Sequence, residues 1–355
     1  MDSDLHLTQD SERGKPKMSK ILEVKNLRTT FFTHLGEVQA VRGISFDLDE
    51  GGILGIVGES GSGKSVTSLS IMGLVDEPGR IVEGEVLFQG TDLTKLDHNE
   101  MMKFRGNEIS MIFQDPMTSI NPAFTIGNQL REVIMAHSEL NKEEAHERAL
   151  ELLTMVGIPD PESRIKNFPY QFSGGMRQRA LIAMAIANNP KLLIADEPTT
   201  ALDVTIQAQI LELMRDLKDK INSSVILITH DLGVISEICD KVIVMYGGMI
   251  MEKADIKNLF AHPQHPYTRG LLLSIPTNVT GKKKRLIPIE GSPPDLMDPP
   301  TGCPFSPRCP HAMEICLKKA APLFKISETQ EASCWLHHQD APEVSGMVKV
   351  EGEQS

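Results

Sequence analysis

The stretch GESGSGKS, residues 58–65, carries the strongest structural signal in this sequence. It matches the pattern G-x-x-x-x-G-K-[S/T] and stands in the context that this pattern requires, after an apolar run (ILGIV, 53–57) and before a helical segment. Backbone N–H groups of such a loop surround phosphates at a helix N-terminus. The sequence therefore predicts a nucleoside triphosphate site rather than a ligand-free glycine turn. The predicted phosphate-binding residues are Gly58, Glu59, Ser60, Gly61, Ser62, Gly63, Lys64 and Ser65.

The segments around this loop predict an α/β fold. Short runs rich in Ile, Val and Leu recur downstream, and helical patterns alternate with them: LLIA (192–195), SVILIT (224–229) and KVIVMY (241–246). Such runs are typical of strands buried on both faces of a parallel, helix-covered sheet. Few strand-like runs occur between residues 116 and 172, where KEEAHERALELLTMV (142–156) has its apolar residues on one helical face. This part is predicted to be a helical insertion.

Composition and charge limit the class of protein. The chain has 355 residues, and 36 Lys+Arg against 48 Asp+Glu give a formal net charge of −12. This balance argues against broad electrostatic binding to nucleic acid or anionic lipid. No stretch approaches the roughly 18 consecutive apolar residues of a membrane span, and the N-terminus has no signal-peptide pattern. We expect an acidic protein that stays in the cytoplasm.

Acidic residues and a histidine follow two of the predicted strands. Asp196 and Glu197 end the run LLIADE, where Asp196 can hold Mg²⁺ and Glu197 can orient or deprotonate an attacking water molecule. His230 ends ILITHD and can hydrogen-bond to a γ-phosphate. Alone, each of these features would favour a solvated or structural role. The phosphate-binding loop upstream makes catalysis the better interpretation.

A second anion-binding helix start is predicted at FSGGMRQR. Ser173, Gly174 and Gly175 precede the helical run MRQRALIAMAIA, so they offer a hydroxyl and free backbone N–H groups at a helix N-terminus. A plain Ser-Gly helix cap is the alternative. Because one phosphate-binding loop is already present, a second site suggests that it serves the nucleotide of another subunit.

The order of these motifs resembles the nucleotide-binding domain of the ABC ATPases, over roughly residues 21–260. Between the phosphate-binding loop and His230 lie Gln114 in IFQDP, the Ser-Gly-Gly segment, LLIADEP and Asp203 in TALD. Six separately weak motifs in one order make the resemblance highly specific. It implies a P-loop ABC ATPase core with a helical subdomain.

The resemblance also implies roles for particular residues. Two subunits would enclose ATP head to tail, and ATP binding would close the pair while hydrolysis reopens it. Gln114 would contact Mg²⁺ and water, and Asp203 would lie at the dimer interface. Phe31 is the predicted adenine-stacking residue, in preference to Phe32. The signature departs from the common S-G-G-Q, because Met176 occupies its fourth position.

The C-terminal part resembles the extension of ATP-binding subunits of oligopeptide and dipeptide importers. The resemblance is carried by HPQHPYTRGLLLSIP (262–276) and GCPFSPRCPHAMEIC (302–316). It implies a related second ATPase, two membrane permeases, an extracytoplasmic substrate-binding protein and a peripheral position on the cytoplasmic face of the membrane. Nickel and glutathione transporters of the same branch are alternatives for the cargo. A soluble ABC protein without transport function, or a redox sensor, is a more distant alternative.

Four of the five cysteines lie close together near the C-terminus: Cys303, Cys309, Cys316 and Cys334. In a reducing compartment, clustered cysteines indicate metal ligands more often than disulfides. The spacing contains no C-x-x-C pair and matches no common ferredoxin pattern. Some importers of this branch carry a [4Fe–4S] cluster here, so a structural cluster is the leading prediction. The alternatives are Zn²⁺, with His311, His337 or His338 available as substitute ligands, and free thiols.

The predicted division of the chain is a flexible lead (1–19), the nucleotide-binding domain (20–260, with its helical subdomain at about 115–172), a small Cys-rich C-terminal module (261–340) and a flexible tail (341–355).

Overall fold

The computed structural model describes residues 19–200, 202–274 and 288–350. Most of the predicted lead and the last residues of the predicted tail, 351–355, therefore lie outside the described residues, as do 275–287 of the predicted C-terminal module. The strands are β1 (Lys20–Thr33), β2 (Gly36–Asp49), β3 (Ile53–Val57), β4 (Gly79–Phe88), β5 (Thr91–Asp92), β6 (Ile109–Ile112), β7 (Leu192–Asp196), β8 (Ser224–Thr229), β9 (Lys241–Tyr246), β10 (Met249–Asp255), β11 (Phe324–Lys325) and β12 (Gln330–Ala332). The helices are α1 (Lys64–Ile71), α2 (His98–Phe104), α3 (Pro116–Ser119), α4 (Ile126–Ala136), α5 (Lys142–Met155), α6 (Pro161–Arg164), α7 (Gly174–Ala185), α8 (Val204–Ile221), α9 (Leu232–Ile238), α10 (Ile256–Ala261), α11 (Pro266–Leu273) and α12 (Glu314–Lys318).

The centre of the molecule is an eight-stranded sheet in the order β11-β12-β10-β9-β3-β8-β7-β6. Strands β9, β3, β8, β7 and β6 are parallel. Strands β3, β7 and β8 are buried along their whole length, which explains their near-continuous apolar sequences. The predicted parallel α/β core is confirmed.

An antiparallel sheet, ordered β2-β1-β4-β5, covers one face of the parallel sheet. Alternate residues of β7 face opposite sides of the sheet and belong to different halves of the core. Leu192 and Ile194 pack with the antiparallel sheet, whereas Leu193 and Ala195 pack with the helices on the opposite face. Because side chains alternate along a strand, a fully apolar strand can supply both layers at once.

Helices α3 to α7 occupy the chain between β6 and β7. Helix α5 begins at an Asn141 capping box and buries the residues that the sequence placed on its apolar face. Ala145, Ala149, Leu152 and Leu153 of that face are fully buried. The predicted amphipathic helix is confirmed. Each fully buried leucine contributes about 1.5–3 kcal/mol to the stability of the fold.

The C-terminal part of the chain, from residue 261 onwards, adds β11 and β12 to the central sheet. Strand β12 pairs antiparallel with β10, with Glu252 opposite Ala332. The fully buried Glu252 carboxylate accepts hydrogen bonds from the backbone N–H groups of Gln264 and His265 and from the Gln330 amide, at 2.8, 2.9 and 2.8 Å. A small, separate Cys-rich module is therefore not shown. The described C-terminal residues continue the sheet instead.

Residues beyond the predicted boundary at 340 also contact the rest of the protein. The backbone N–H of Val350 donates to the backbone carbonyl of His337, and that of Val348 donates to the side-chain oxygen of Gln264, at 3.0 Å in each case. Among the helices of the described ranges, none combines the length and the apolar character needed to cross a membrane.

Candidate active site

The loop from residue 58 to residue 63 connects β3 to α1 and closely approaches neighbouring backbone. A Cβ on Gly58 would lie 2.1 Å from the carbonyl oxygen of Met245, and one on Gly63 would lie 2.5 Å from that of Ala40. Gly63 also has a positive φ of 99°. Both positions therefore require glycine. The exposed Ser60 and Gly61 form the outer part of the loop, whereas the Ser62 hydroxyl is buried without a hydrogen-bond partner among the described atoms.

Lys64, the first residue of α1, is buried inside this loop. Its Nζ donates to the carbonyl oxygens of Gly58 at 2.8 Å and Glu59 at 3.0 Å. Burial lowers the pKa of Lys64, and the nearby carboxylates of Glu197, Asp196 and Glu59 act in the opposite direction. The ammonium group is thus held over a concave row of backbone groups, where an anion can replace the carbonyl contacts.

Ser65 and Asp196 form a polar pair between α1 and the end of β7. The Ser65 hydroxyl donates to Asp196 Oδ1 at 3.1 Å. Burial, together with the charge of Glu197, raises the pKa of Asp196, while the Ser65 hydrogen bond and Lys64 lower it. A hydroxyl beside a buried carboxylate is a donor set that suits a hard divalent cation such as Mg²⁺. The residues present therefore fit the ion that the sequence predicts.

Glu197 lies at the centre of a group of polar side chains from three parallel strands. Its Oε2 accepts hydrogen bonds from Gln114 Nε2 at 2.9 Å and from the Thr200 hydroxyl at 2.8 Å. Its Oε1 lies 3.4 Å from Nδ1 of His230. Because the carboxyl ends of parallel strands meet at one edge, β6, β7 and β8 bring these residues together. Glu197 itself has a positive φ of 47°.

The other predicted site residues lie on different elements. Ser173 is the N-cap of α7 and accepts from the backbone N–H of Met176 at 3.3 Å; it and Gly174 are exposed. Asp203 is exposed and caps α8. Among the described residues, no hydrogen bond joins the Ser173–Gly175 segment to the phosphate-binding loop. The cap geometry agrees with the plain structural interpretation, and it also leaves these groups accessible to a second subunit.

Phe31 and Phe32 have different environments near the end of β1. Phe31 lies against Gly79, and a Cβ added at Gly79 would come within 2.5 Å of the Phe31 ring. The guanidinium of Arg80 stands 4.2 Å above the ring of Phe32. One face of Phe32 is therefore already occupied by a cation.

Three residues at the site were missed by reasoning from the sequence. Thr200 contacts Glu197, and it could have been noticed because it lies only three residues after Glu197. Tyr267 and Arg308 both contact Glu59 of the phosphate-binding loop. They are 208 and 249 residues away from it in the chain, so no local pattern indicates these contacts.

The prediction of a metal or iron–sulfur site at the four clustered cysteines is wrong. Among the described residues, no group of three or more His, Cys, Asp or Glu side chains could hold a metal ion. Cys303, Cys309, Cys316 and Cys334 line an apolar cavity of about 10 Å³, which is barely the space of one water molecule. Burial raises the pKa of Cys303 to about 11 and that of Cys334 to about 12, so these thiols are protonated at neutral pH.

The zinc alternative fails for the same reason, and His337, one of its three predicted substitute ligands, is occupied elsewhere. Both ring nitrogens of His337 lie within hydrogen-bond distance of backbone carbonyls, those of Val348 at 2.6 Å and Gln264 at 2.7 Å. Proximity of cysteines in the sequence therefore did not indicate a metal site here.

Two family models match this chain. One, described as "ABC transporter", matches residues 41–200. The other, described as "Oligopeptide/dipeptide transporter, C-terminal region", matches residues 251–316. The first spans the phosphate-binding loop and the paired acids, and the second spans α11 and most of the clustered cysteines.

Two named relatives match nearly the whole chain. The oligopeptide transport ATP-binding protein OppD of Bacillus subtilis (strain 168) is 56% identical over 329 residues, which are 92% of each chain. The dipeptide transport ATP-binding protein DppD of Lactococcus lactis subsp. cremoris (strain MG1363) is 53% identical over 327 residues, which are 92% of this chain and 93% of that protein.

Solved structures match the nucleotide-binding part. An ATP-binding cassette, determined as a dimer in a post-hydrolysis state with ADP and Pi, superposes with a TM-score of 0.60. It is 29% identical to this chain, of which it covers 66%, and 98% of its own length is matched.

Proposed function

Because this chain belongs to the ABC transporter ATP-binding proteins of the oligopeptide/dipeptide family, we propose that it drives the import of di- or oligopeptides. Members of this family are ABC ATPases, which bind ATP with Mg²⁺ and hydrolyse it. The observation that carries the proposal is the convergence of Lys64, Ser65 and Asp196 on one side with the Glu197 group on the other.

ATP is proposed to bind with its phosphates in the loop of residues 58–65. On binding, Lys64 exchanges its two carbonyl contacts for the terminal phosphates, which are better acceptors because they are charged. Ser65, Asp196 and Gln114 are the proposed Mg²⁺ ligands, directly or through water. The ion, when bound, neutralises charge that develops on the phosphate oxygens. Phe31 is proposed to stack on adenine, since Arg80 already covers one face of Phe32.

Glu197 is proposed to act on the attacking water molecule. Its two hydrogen bonds from Gln114 and Thr200 fix the carboxylate and leave Oε1 directed towards His230. A positioned carboxylate of this kind can accept a proton from water as the water attacks the γ-phosphate. His230, whose side chain is 63% exposed, is proposed to hydrogen-bond to that phosphate and so to report its presence.

Two ATPase subunits are proposed to enclose each nucleotide. Ser173, Gly174 and Gly175 of one subunit would offer their hydroxyl and backbone N–H groups to ATP held on the partner's loop, with Asp203 beside them at the interface. Support comes from the exposure of Ser173, Gly174 and Asp203. The Oγ of Ser173 keeps a free lone pair while it caps α7. We propose that the second subunit is a related but different ATPase.

The family relationship implies membrane permease partners. The proposed complex has two permeases and an extracytoplasmic substrate-binding protein, and the chain is peripheral on the cytoplasmic face. The proposed domain division remains a nucleotide-binding domain at 20–260 with a helical subdomain at about 115–172, followed by the family's C-terminal extension to about residue 340. The named relatives transport oligopeptides and dipeptides, and this favours peptide cargo over nickel or glutathione.

Co-purification and uptake test this function. The tagged chain is isolated from membranes in mild detergent, its partners are identified, and the complex is reconstituted into vesicles. ATP-driven uptake of a labelled dipeptide or tripeptide, absent from vesicles with the Lys64→Ala variant, is the expected result. Uptake of nickel or glutathione without peptide uptake would refute the peptide assignment. Isolation without any membrane subunit would refute the transport assignment.

A further inference from the structure

Within the part of the chain that the structure describes, hydrogen bonds connect the phosphate-binding loop to the C-terminal part at Glu59. The phenol oxygen of Tyr267 accepts a hydrogen bond from the backbone N–H of Glu59 at 3.0 Å. Arg308 Nη1 donates to Glu59 Oε2 at 2.8 Å. Only 6% of the Arg308 side chain and 25% of the Glu59 side chain are exposed. The ion pair is thus largely shielded from water, unlike the surface pairs that contribute little to stability.

The guanidinium of Arg308 is fixed by three further contacts. Nε donates to the carbonyl of Glu290 at 2.9 Å, Nη2 to that of Ile289 at 3.0 Å, and Nη1 also to the Tyr246 hydroxyl at 3.0 Å. Because the group is planar and its other donors are engaged, the direction of Nη1 is set before any ligand arrives. The aromatic rings of Tyr246, Tyr267 and Phe305 pack together beneath it.

The charge of Glu59 acts on the proposed phosphate-binding lysine. Lys64 donates to the Glu59 carbonyl, and the Glu59 carboxylate is one of the charges that favour its protonated form. An unpaired carboxylate here would repel the triphosphate and compete with it for Lys64. Arg308 supplies the opposite charge on the far side of Glu59. The pair therefore removes a negative charge from the neighbourhood of the incoming phosphates.

We propose that Arg308 and Tyr267 are positioning residues for ATP, which set its affinity through Glu59. Arg308 neutralises the Glu59 carboxylate and holds it away from the phosphates, while Tyr267 accepts a hydrogen bond from the backbone N–H of Glu59. The inference rests on the proposed nucleotide site. It makes the C-terminal part a determinant of ATP affinity.

A rescue experiment, in which a second substitution is added to Arg308→Ala, tests the role of Arg308. The full-length chain is titrated with a fluorescent ATP analogue and Mg²⁺, and the melting temperature of every variant is recorded. Arg308→Ala should weaken binding about tenfold, the loss expected when a charged partner is removed. Adding Glu59→Gln to Arg308→Ala should restore about fivefold of that affinity, since the uncompensated charge is gone.

Arg269→Ala is the matched control. Arg269 also lies in the C-terminal part and donates to two backbone carbonyls, those of Pro263 and Ser345. It makes none of the contacts to Glu59, so its replacement should leave affinity within about twofold of the wild type. Tyr267→Phe, which removes one oxygen and keeps the ring, should weaken binding about threefold. It also serves as the test if Arg308→Ala does not fold.

The outcomes separate this inference from the proposed function. Wild-type affinity in both Arg308→Ala and Tyr267→Phe, with binding lost in Lys64→Ala, overturns the inference and leaves the nucleotide site intact. A double variant no better than Arg308→Ala assigns Arg308 a merely structural role and also overturns it. A wild-type chain that does not bind the analogue overturns both.

Discussion

Glu197→Gln is the perturbation that isolates the proposed catalytic step. Gln has nearly the same shape as Glu, and its carbonyl oxygen can still accept the hydrogen bonds from Gln114 and Thr200 that Oε2 accepts at 2.9 and 2.8 Å. The fold and the binding loop should therefore be unaffected. The change removes the carboxylate of Glu197, which is the group that can accept a proton from water.

The expected loss follows from that chemistry. General-base catalysis contributes about 10²- to 10⁴-fold, which corresponds to about 2.7–5.5 kcal/mol of barrier. We expect the turnover number for ATP hydrolysis to fall by about this factor, while ATP affinity stays within about threefold because no phosphate contact is lost.

The assay is phosphate release by the assembled complex at saturating MgATP, with ATP binding measured on the same preparation. Glu212→Gln, the same substitution at an exposed position of α8, is the matched control and should turn over like the wild type. Turnover within about threefold of the wild type in Glu197→Gln would refute the assignment of Glu197 as the base.

Two further predictions concern stability and the loop. Glu252→Gln places an amide donor against buried backbone donors, so the free energy of unfolding should fall by about 1–3 kcal/mol in denaturant titrations. Burial raises the pKa of Glu252 above its ordinary value of 4.5. The contribution of Glu252 to stability is therefore largest below pH 4.5 and declines as pH rises through the folded-state pKa. The difference in free energy of unfolding between wild type and variant should narrow on the alkaline side, and a widening difference would contradict this. Gly58→Ala places a Cβ 2.1 Å from the Met245 carbonyl, so ATP binding should be lost and stability should fall by about 1–3 kcal/mol; normal binding would show that the loop adapts.

The central fold could be predicted because its signal is local. The runs at 53–57, 224–229 and 241–246 coincide with β3, β8 and β9, since a strand buried on both faces must be apolar along nearly its whole length. The helix at 142–155 was predictable from the 3.6-residue spacing of Ala145, Ala149 and Leu152.

The candidate site was partly predictable for a different reason. Each motif ends a strand, and parallel strands present those ends at one edge, so the proximity of Gln114, Glu197 and His230 follows from topology. The contacts of Tyr267 and Arg308 with Glu59 depend on how a distant segment packs, and no periodicity records that.

The C-terminal part shows where reasoning from sequence was misled. Strand β12 is only three residues long, too short for a recognisable pattern, yet it joins the central sheet through β10. The four cysteines were interpreted from their density in the chain and from the resemblance to importers that carry a cluster. Their side chains line a cavity with about 10 Å³ of space, and side-chain geometry, not spacing along the chain, decides whether a metal can bind.

Equilibrium binding of MgATP to the purified wild-type chain and to Lys64→Ala tests the proposed nucleotide site most directly. The wild type should bind saturably, and the affinity of the variant should be at least about tenfold weaker, because the buried ammonium is the proposed contact of the terminal phosphates. Equal affinity in the two proteins would contradict the placement of ATP in the loop of residues 58–65.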